Sequence, residues 1–434
     1  MRVPRYPAMA DPISSVRVRR RCSLDCDAGR PPIAHGVRAT SEREVQHTMT
    51  STTASTESGP QPADASASRR FTRAIGFTAV VASAALAGLG LVWLLAPGLN
   101  PFADDAMASL LSSVAGPVAV AIVALALGVA GVALAMLLRL GSRASHRALA
   151  GFGAAALALA IGLTLGSMGI IMYAGYLFGL AAVAAGVVTI AVTLVRAPRL
   201  GVFLLAGVLA AAAAAVWLAG LTLDGILEFA AAFGGALAEQ AGNIAVAAVI
   251  VVDTIVWTAV AISTLRTASA GRRFESWLVR HRRILTILAA LGPVPYAIAR
   301  VSWLTPWPLF GPTSDDLSPA TLATGLMLGA GAVAASVLTL GLILPWGRTF
   351  PKWMPRIGGR SVPVAAAVVP GSIAAGVICL SAVPMLLMTR MSADSPFDAV
   401  LVNLVLPLWF WGPMLALAVW AYAAWRRRMA LGAA

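Results

Sequence analysis

The sequence predicts an all-α polytopic integral membrane protein with about ten transmembrane helices. Apolar residues make up 59% of the 434 residues, and beyond residue 74 they form stretches of about 20 residues, the length that crosses the roughly 30 Å hydrocarbon core of a bilayer. The arginines between these stretches fall almost entirely in alternate loops. The predicted spans lie near residues 74–96, 115–138, 148–167, 170–195, 199–221, 242–265, 284–305, 318–344, 362–388 and 399–424.

The third and fourth spans are separated by length alone. No charged residue interrupts the chain between Arg147 and Arg196. This stretch is too long for one helix and suits two helices that meet near Gly166. A re-entrant loop is the alternative for residues 148–195.

The basic residues predict the orientation, because positively charged loops are retained in the cytoplasm. The basic loops contain Arg139, Arg143 and Arg147; Arg196 and Arg199; Arg266, Arg272, Arg273, Arg280, Arg282 and Arg283; and Arg348, Lys352, Arg356 and Arg360. The opposite loops contain Asp104, Asp105, Asp224, Glu228, Glu239, Asp315, Asp316, Asp394 and Asp398. Both termini are therefore expected to be cytoplasmic.

The overall composition indicates the membrane and the partners. Lys352 is the single lysine among 32 basic residues, and Ala, Gly and Pro are abundant, as in GC-rich bacterial genomes. We therefore expect a bacterial plasma membrane. The net charge of +14 resembles that of nucleic-acid-binding proteins, but the cations lie in short loops. Anionic lipid headgroups are the expected partners, nucleic acid is not, and no protein partner is indicated.

Residues 1–73 differ from the rest and predict a disordered cytoplasmic tail rich in Arg, Ser, Thr, Pro and Ala. Cys22 and Cys26 are followed by His35 and His47, but this spacing fits no common zinc site. Met49 begins a short polar leader and is an alternative start, in which case residues 1–48 would not belong to the protein. No metal or cofactor is expected.

Two loops suggest an internal duplication. The first span ends at Trp93, which is followed by prolines, a phenylalanine and Asp104-Asp105, and the seventh ends at Trp303, which precedes a similar series up to Asp315-Asp316. Either a 4+2+4 repeat or similar loops that arose independently would give this pattern. The repeat divides the chain into a four-helix unit at 74–196, a two-helix linker unit at 197–283, a four-helix unit at 284–426 and a short basic cytoplasmic tail at 427–434.

Residues 280–426 also carry two motifs of a known group. The first is Tyr296-x3-Arg300-x2-Trp303, and the second is the loop GRTFPKWMPRIGGRSVP at 347–363, in which Lys352 replaces the usual arginine. In both motifs this part of the chain resembles a group of actinobacterial multi-pass membrane proteins that have no assigned activity. The resemblance implies a multi-pass fold and a bacterial source, and it implies no function.

The second of these motifs is a candidate lipid-facing loop. Its prolines exclude a continuous helix, a tryptophan suits the headgroup level, and its cations attract anionic lipid. The candidate residues are Arg348, Lys352, Trp353, Arg356 and Arg360. A plain topogenic loop with a rigid turn is the alternative.

Three intramembrane residues form a candidate polar cluster. Asp253 lies about eleven residues into the sixth span, roughly 16 Å deep at 1.5 Å per residue, where a charge costs about 3 kcal/mol or more. Arg300 could reach toward it from the seventh span or extend to the outer interface, and Tyr296 lies one turn away on the same helix face. The cluster is predicted to serve either helix packing or a proton or substrate path.

The remaining features concern packing. Asn243 and Asn403 are predicted to form hydrogen bonds between helices. Close helix approach is predicted at Gly162-x3-Gly166, Gly175-x3-Gly179 and Gly325-x3-Gly329, and kinks or helix ends at Pro293, Pro295, Pro370, Pro384, Pro407 and Pro413.

Three classes of function remain open. A small-molecule transporter or exporter would place its site between the helical units, with Asp253 as the proton-coupling group. A non-catalytic membrane scaffold or envelope-assembly partner would use the helices for packing and the loops for contacts. An integral-membrane enzyme is the third, although the sequence has no Ser-x-x-Lys or His-Glu-x-x-His pattern. Asp224 and Glu228 share a helical face, and we expect a solvated acidic rim there.

Overall fold

Helices account for nearly all of the described chain. The computed structural model describes residues 62–104, 107–140, 144–219, 222–305, 307–310, 319–350, 358–392, 395–430 and 432. Within these ranges the α-helices are α1 (Pro62–Leu95), α2 (Leu110–Leu140), α3 (Ala144–Leu165), α4 (Met168–Arg196), α5 (Pro198–Ala219), α6 (Leu223–Glu239), α7 (Ala241–Leu265), α8 (Ser269–Arg280), α9 (Arg282–Leu291), α10 (Val294–Val301), α11 (Pro319–Leu340), α12 (Val364–Ser392), α13 (Pro396–Val405) and α14 (Leu408–Ala430). These ranges hold no β-strand beyond two isolated bridges, so the all-α class is confirmed.

Seven helical segments are long and apolar enough to cross a membrane. They are Ile75–Leu95, Leu110–Arg139, Met168–Arg196, Ala241–Leu265, Arg282–Leu304, Val364–Met391 and Pro396–Ala430. Three shorter apolar helices, Leu149–Leu165, Pro198–Ala210 and Thr324–Leu340, coincide with the third, fifth and eighth predicted spans. The helices thus confirm a polytopic membrane protein, and every predicted span overlaps one of them.

Two helices, α6 and α8, lie between the predicted spans. Asp224 and Glu228 are exposed on α6. The second helix, α8, has opposite faces: Leu278 is fully buried, whereas Arg272 and Arg273 are exposed. A helix as short as α8 cannot cross a bilayer. Its amphipathic pattern suits a position along the end of the bundle.

Prolines divide two of the predicted spans. The seventh is α9 and α10, separated at Gly292-Pro293, and the tenth is α13 and α14, separated at Leu406-Pro407. The predicted helix ends at Pro293 and Pro407 are thereby confirmed. Pro295 lies in the first turn of α10, whereas Pro370, Pro384 and Pro413 lie inside helices that continue past them.

The buried side chains form two main cores. The first core joins α1, α2, α3, α4 and α7, together with Val377 and Leu380 of α12. The second core joins α9, α12 and α14 around Leu408, Leu415 and Tyr422. This packing divides the chain differently from the predicted units, because α7 was assigned to a linker and yet packs against α1 and α3 in the first core.

The likeness between the two predicted units is confined to their loops. Trp93 and Trp303 are both buried at a helix end, where Trp93 packs edge-on against Phe102 and the Trp303 indole donates to the Leu309 carbonyl at 3.1 Å. The helix neighbours differ, since α1, α2 and α3 pack in sequence while α14 lies between α9 and α12. Asp105, Asp315 and Asp316 lie outside the described residues. The duplication stays a prediction that the described residues do not test.

Two of the three glycine pairs bring helices together. Gly166 lies against the Leu380 backbone of α12, Gly329 lies beneath Arg300 of α10, and Gly325 lies beneath Trp303 in the 3-10 turn that follows α10. Added Cβ atoms at Gly175 and Gly179 would meet nothing within 4 Å. The predicted close approach at Gly175-x3-Gly179 is therefore absent from the described structure.

Most basic side chains of the described chain lie at one end of the helix bundle and most acids at the other, where the exposed Arg390 of α12 is an exception. At one end Arg139 of α2 donates to the Gly76 carbonyl of α1 at 3.3 Å, and Arg427 of α14 pairs with Glu275 of α8 at 3.2 Å. We call this the basic end; α9 and α12 begin here. The other end carries exposed acids at Asp104, Glu239 and Asp398.

Candidate functional site

Asp253 lies in the middle of α7 and is completely buried in the first core. The Ser83 hydroxyl of α1 donates to Asp253 Oδ1 at 2.9 Å, and the Trp257 indole N–H donates to Ser83 Oγ at 2.9 Å. Asp253 Oδ2 is also buried, and it has no hydrogen-bond partner among the described residues. The three side chains form a chain of hydrogen bonds that joins α1 to α7.

The geometry of this site follows from helix spacing and from one small residue. Asp253 and Trp257 are four residues apart, so both side chains leave α7 on the same face. Gly131 of α2 faces Ser83, and a Cβ there would collide with the Ser83 side chain. The absence of a side chain at Gly131 therefore leaves room for the serine between α1, α2 and α7.

The surroundings of Asp253 provide little stabilisation for a negative charge. Its single described hydrogen bond comes from a neutral hydroxyl, and the surrounding first core is apolar. A buried carboxylate is stabilised when several donors or a cation compensate its lost hydration. Here one oxygen has no donor among the described residues, so the lost hydration of a carboxylate is only partly compensated.

Arg300 and Tyr296 form a separate pair. The Arg300 guanidinium lies 4.8 Å from the Tyr296 ring centre and 4.2 Å from that of Trp303, and its Nε is buried without a partner among the described residues. Neither oxygen of Asp253 is bonded to it. Of the two alternatives for Arg300, the described residues do not show the contact with Asp253, whereas the contact between Tyr296 and Arg300 is present.

The sequence analysis missed Ser83 and Trp257. A serine in an alanine-rich helix carries no signal of its own, because hydroxyls commonly bond to the carbonyl one turn earlier. Trp257 gave a stronger clue, because an indole N–H deep in a span needs a hydrogen-bond acceptor. Asp253 lies one turn away on the same face of α7 and indicates the side on which that acceptor lies. Asn243 and Asn403 were predicted correctly, since they bond to Tyr173 of α4 and Thr389 of α12.

The candidate lipid-facing loop is folded back on itself at the basic end. Thr349 and Ser361 form an antiparallel bridge, and the Phe350 N–H donates to the Arg360 carbonyl at 2.9 Å. Gly359 has φ +78°, which favours glycine at this turn. Both Arg348 and Arg360 are exposed. The other candidates, Lys352, Trp353 and Arg356, lie outside the described residues.

Residues of α14 fix this loop in place. The Tyr422 hydroxyl donates to the Gly347 carbonyl at 3.0 Å, and Arg426 donates to the Tyr422 hydroxyl at 2.8 Å and to the Val362 carbonyl at 2.9 Å. The two anchored carbonyls lie on either side of the isolated bridge between Thr349 and Ser361. This anchoring role of Arg426 is one that the sequence alone did not indicate.

A second group of cations at the basic end involves α8. Burial lowers the pKa of Arg266, repulsion by Arg427 lowers it further, and the Glu275 carboxylate raises it. Glu275 pairs with Arg427, and Arg428 donates to the Ser276 hydroxyl at 2.9 Å. These contacts attach α8 to the end of α14.

Comparison of the chain with protein-family models, with curated proteins and with solved structures gives no match. In the part of the chain that the structure describes, no three His, Cys, Asp or Glu side chains lie close enough together to hold a metal ion.

Ser83→Ala tests the hydrogen-bond chain. The substitution leaves Asp253 Oδ1 and the Trp257 indole without their partner, so we expect the free energy of unfolding in detergent to fall by about 1–3 kcal/mol. Combining it with Trp257→Phe should give a loss smaller than the sum of the two single losses.

The matched control is Thr258→Ala. This substitution also removes a hydroxyl group, here from α7, one of the two helices that the hydrogen-bond chain joins. Thr258 is exposed and bonds only to the Thr254 carbonyl of its own helix, so its loss should stay within about 0.5 kcal/mol. Equal losses for the two alanine variants would contradict the assigned role of Ser83.

Proposed function

We propose that the protein moves a small molecule across the bacterial plasma membrane and that Asp253 binds the proton coupled to this movement. The observation that supports the proposal is the buried carboxyl group with one unpaired oxygen in the middle of α7. Ionisable groups at this depth are costly and are usually retained for ion or proton pathways. Transport near the midplane between packed helices is the common use of such groups.

A purely structural role explains the site less well. Replacing a buried polar group by an apolar one of similar size is often neutral or stabilising, so packing alone gives no reason to keep an acid here. The Ser83 hydroxyl can donate to a carboxylate or accept from a carboxylic acid. The site thus accommodates both protonation states with a rotation of one hydroxyl, as a proton-binding group requires.

The proposal includes ten spans with both termini in the cytoplasm. The segregation of arginines to the basic end supports this orientation through the retention of positive loops. Three of the ten spans are shorter apolar helices, and a short span is accommodated by local thinning of the bilayer. The basic end would then face anionic headgroups, with Arg348 and Arg360 exposed to them.

Reporter fusions test the ten-span topology. Fusions after Asp105, Glu239, Asp316 and Asp394 should report the outside, and fusions after Arg143, Arg199, Arg273 and Arg356 the cytoplasm, because the charge bias orients each span. Each fusion is made once with a phosphatase that is active only outside and once with a fluorescent protein that is fluorescent only in the cytoplasm, and the two signals are compared. An outside signal after Arg199 would contradict the division of residues 148–195 into two spans.

Asp253→Asn tests proton coupling. In everted membrane vesicles energised to an acidic interior and loaded with acridine orange, a transported compound from a small-molecule panel should release protons and restore fluorescence. The asparagine variant keeps the shape of the side chain and cannot bind the proton, so this response should be lost while expression stays near normal. Asp224→Asn, at an exposed acid, is the control and should respond like the wild type. A full response from Asp253→Asn would refute the coupling role.

A membrane scaffold or envelope-assembly partner is the second candidate, and one surface favours it. One face of α8 lines a depression of about 450 Å³ with Ser269, Arg272, Arg273, Ser276, Trp277 and Arg280. A basic face with an exposed tryptophan suits an acidic partner segment. For a scaffold, the vesicle assay should give no compound-dependent response in the wild type or in Asp253→Asn.

A further inference from the structure

Arg282, the first residue of α9, is a buried cation at the basic end. Its exposed fraction is 8%, and its guanidinium carbon lies 3.7 Å from the centre of the Trp425 ring of α14. Its Nη1 is buried and has no hydrogen-bond partner in the described part of the chain. A guanidinium has five N–H donors, and leaving one buried and unpaired is unfavourable.

The charges around Arg282 add to this cost. Arg348 also lies over Trp425, at 5.0 Å from the ring centre, and Arg348 and Arg283 both repel the Arg282 guanidinium. The ion pair of the described basic end joins Arg427 to Glu275. Contact with the tryptophan face offsets part of the lost hydration, but it neither neutralises the cation nor satisfies Nη1.

The surrounding contacts hold this arrangement fixed. Tyr422 and Arg426 anchor the carbonyls of Gly347 and Val362, and the Val362 N–H donates to the Arg348 carbonyl at 2.8 Å. Arg348 is thereby held beside α14 although its side chain is exposed. One cation is buried and one is open to solvent, and both contact the same indole.

We propose that Arg282 and Arg348, held on Trp425, bind a phosphoryl group. Arginine is suited to this ligand, because its planar fork donates two parallel hydrogen bonds to phosphate oxygens. The anion would satisfy Nη1 and neutralise the repulsion between the two guanidinium groups. Arg282 is the first residue of the candidate membrane span Arg282–Leu304, so the site lies at the level of the membrane surface. The phosphoryl group therefore belongs either to an anionic lipid headgroup or to a small soluble phosphate. The site is independent of the proposed proton coupling at Asp253.

The experiment uses the full-length protein in a neutral detergent. Its thermal unfolding midpoint is followed while dioleoylphosphatidylglycerol or inorganic phosphate is added, with sodium chloride and dioleoylphosphatidylcholine as matched controls. The midpoint of the wild type should rise saturably with at least one of the two phosphate-bearing probes. A rise with the anionic lipid alone assigns the site to a headgroup, and a rise with inorganic phosphate assigns it to a soluble anion.

Arg282→Gln and Arg348→Gln should each weaken the apparent affinity for the effective probe at least about tenfold, because a charge-assisted hydrogen bond is lost. Arg282→Lys should recover part of it, since lysine supplies the charge without the fork. Arg199→Gln, at an exposed arginine after α4, should bind like the wild type.

Without a probe, Arg282→Gln should unfold at the wild-type temperature or above it, because the substitution removes an unneutralised buried charge. A purely structural arginine predicts the reverse, a lower midpoint with unchanged apparent affinity. That result, or the absence of a saturable rise with either probe, overturns the proposal. Should Arg282→Gln fail to fold, Arg348→Gln decides alone, since its side chain is exposed and its loss leaves the core intact.

Discussion

A membrane-spanning protein cannot rely on water to satisfy polar groups in its core, and the described structure is arranged around this constraint. Most of its buried polar side chains bond to a neighbouring helix or to the preceding turn of their own. The buried exceptions are five atoms: Asp253 Oδ2, Arg282 Nη1, Arg300 Nε, Trp411 Nε1 and Trp420 Nε1. Of the charged groups among them, Asp253 and Arg282 are the two with the least exposed surface, and both proposals follow from what would satisfy them.

The two groups occupy different parts of the bundle. Asp253 lies in the first core, where Ser83 and Trp257 connect α1 with α7. Arg282 lies at the basic end, against the terminal turns of α14. The helix α12 contributes side chains to both cores, and the Ser381 hydroxyl of α12 donates to the Ser167 carbonyl at 3.0 Å beside the start of α4. The second core is therefore packed directly onto the first through one continuous helix.

The sequence predicted the spans well because hydrophobic length is a local property of the chain. Asp253 was also predicted from local information, since an acid eleven residues into an apolar stretch must be deep in the membrane. Its partner was not predictable in this way. Arg300 was expected beside it because consecutive spans are often neighbours, but α8 carries the chain along the basic end to α14, and α7 packs against α1 and α3. Partners chosen by tertiary packing, such as Ser83, leave no pattern in the sequence of either helix.

The central claim is that the Asp253 carboxyl exchanges a proton inside the first core, and infrared difference spectroscopy of the membrane-reconstituted protein measures this directly. As the pH is lowered from alkaline to mildly acidic, the wild type should gain the carbonyl stretch of a protonated carboxylic acid, because burial with a single hydrogen-bond donor disfavours the charged form of the group. The band should shift when the bulk solvent is exchanged for D2O, and Asp253→Asn should lack it. A wild-type spectrum without this band, or a band that persists in Asp253→Asn or fails to shift in D2O, would contradict the account.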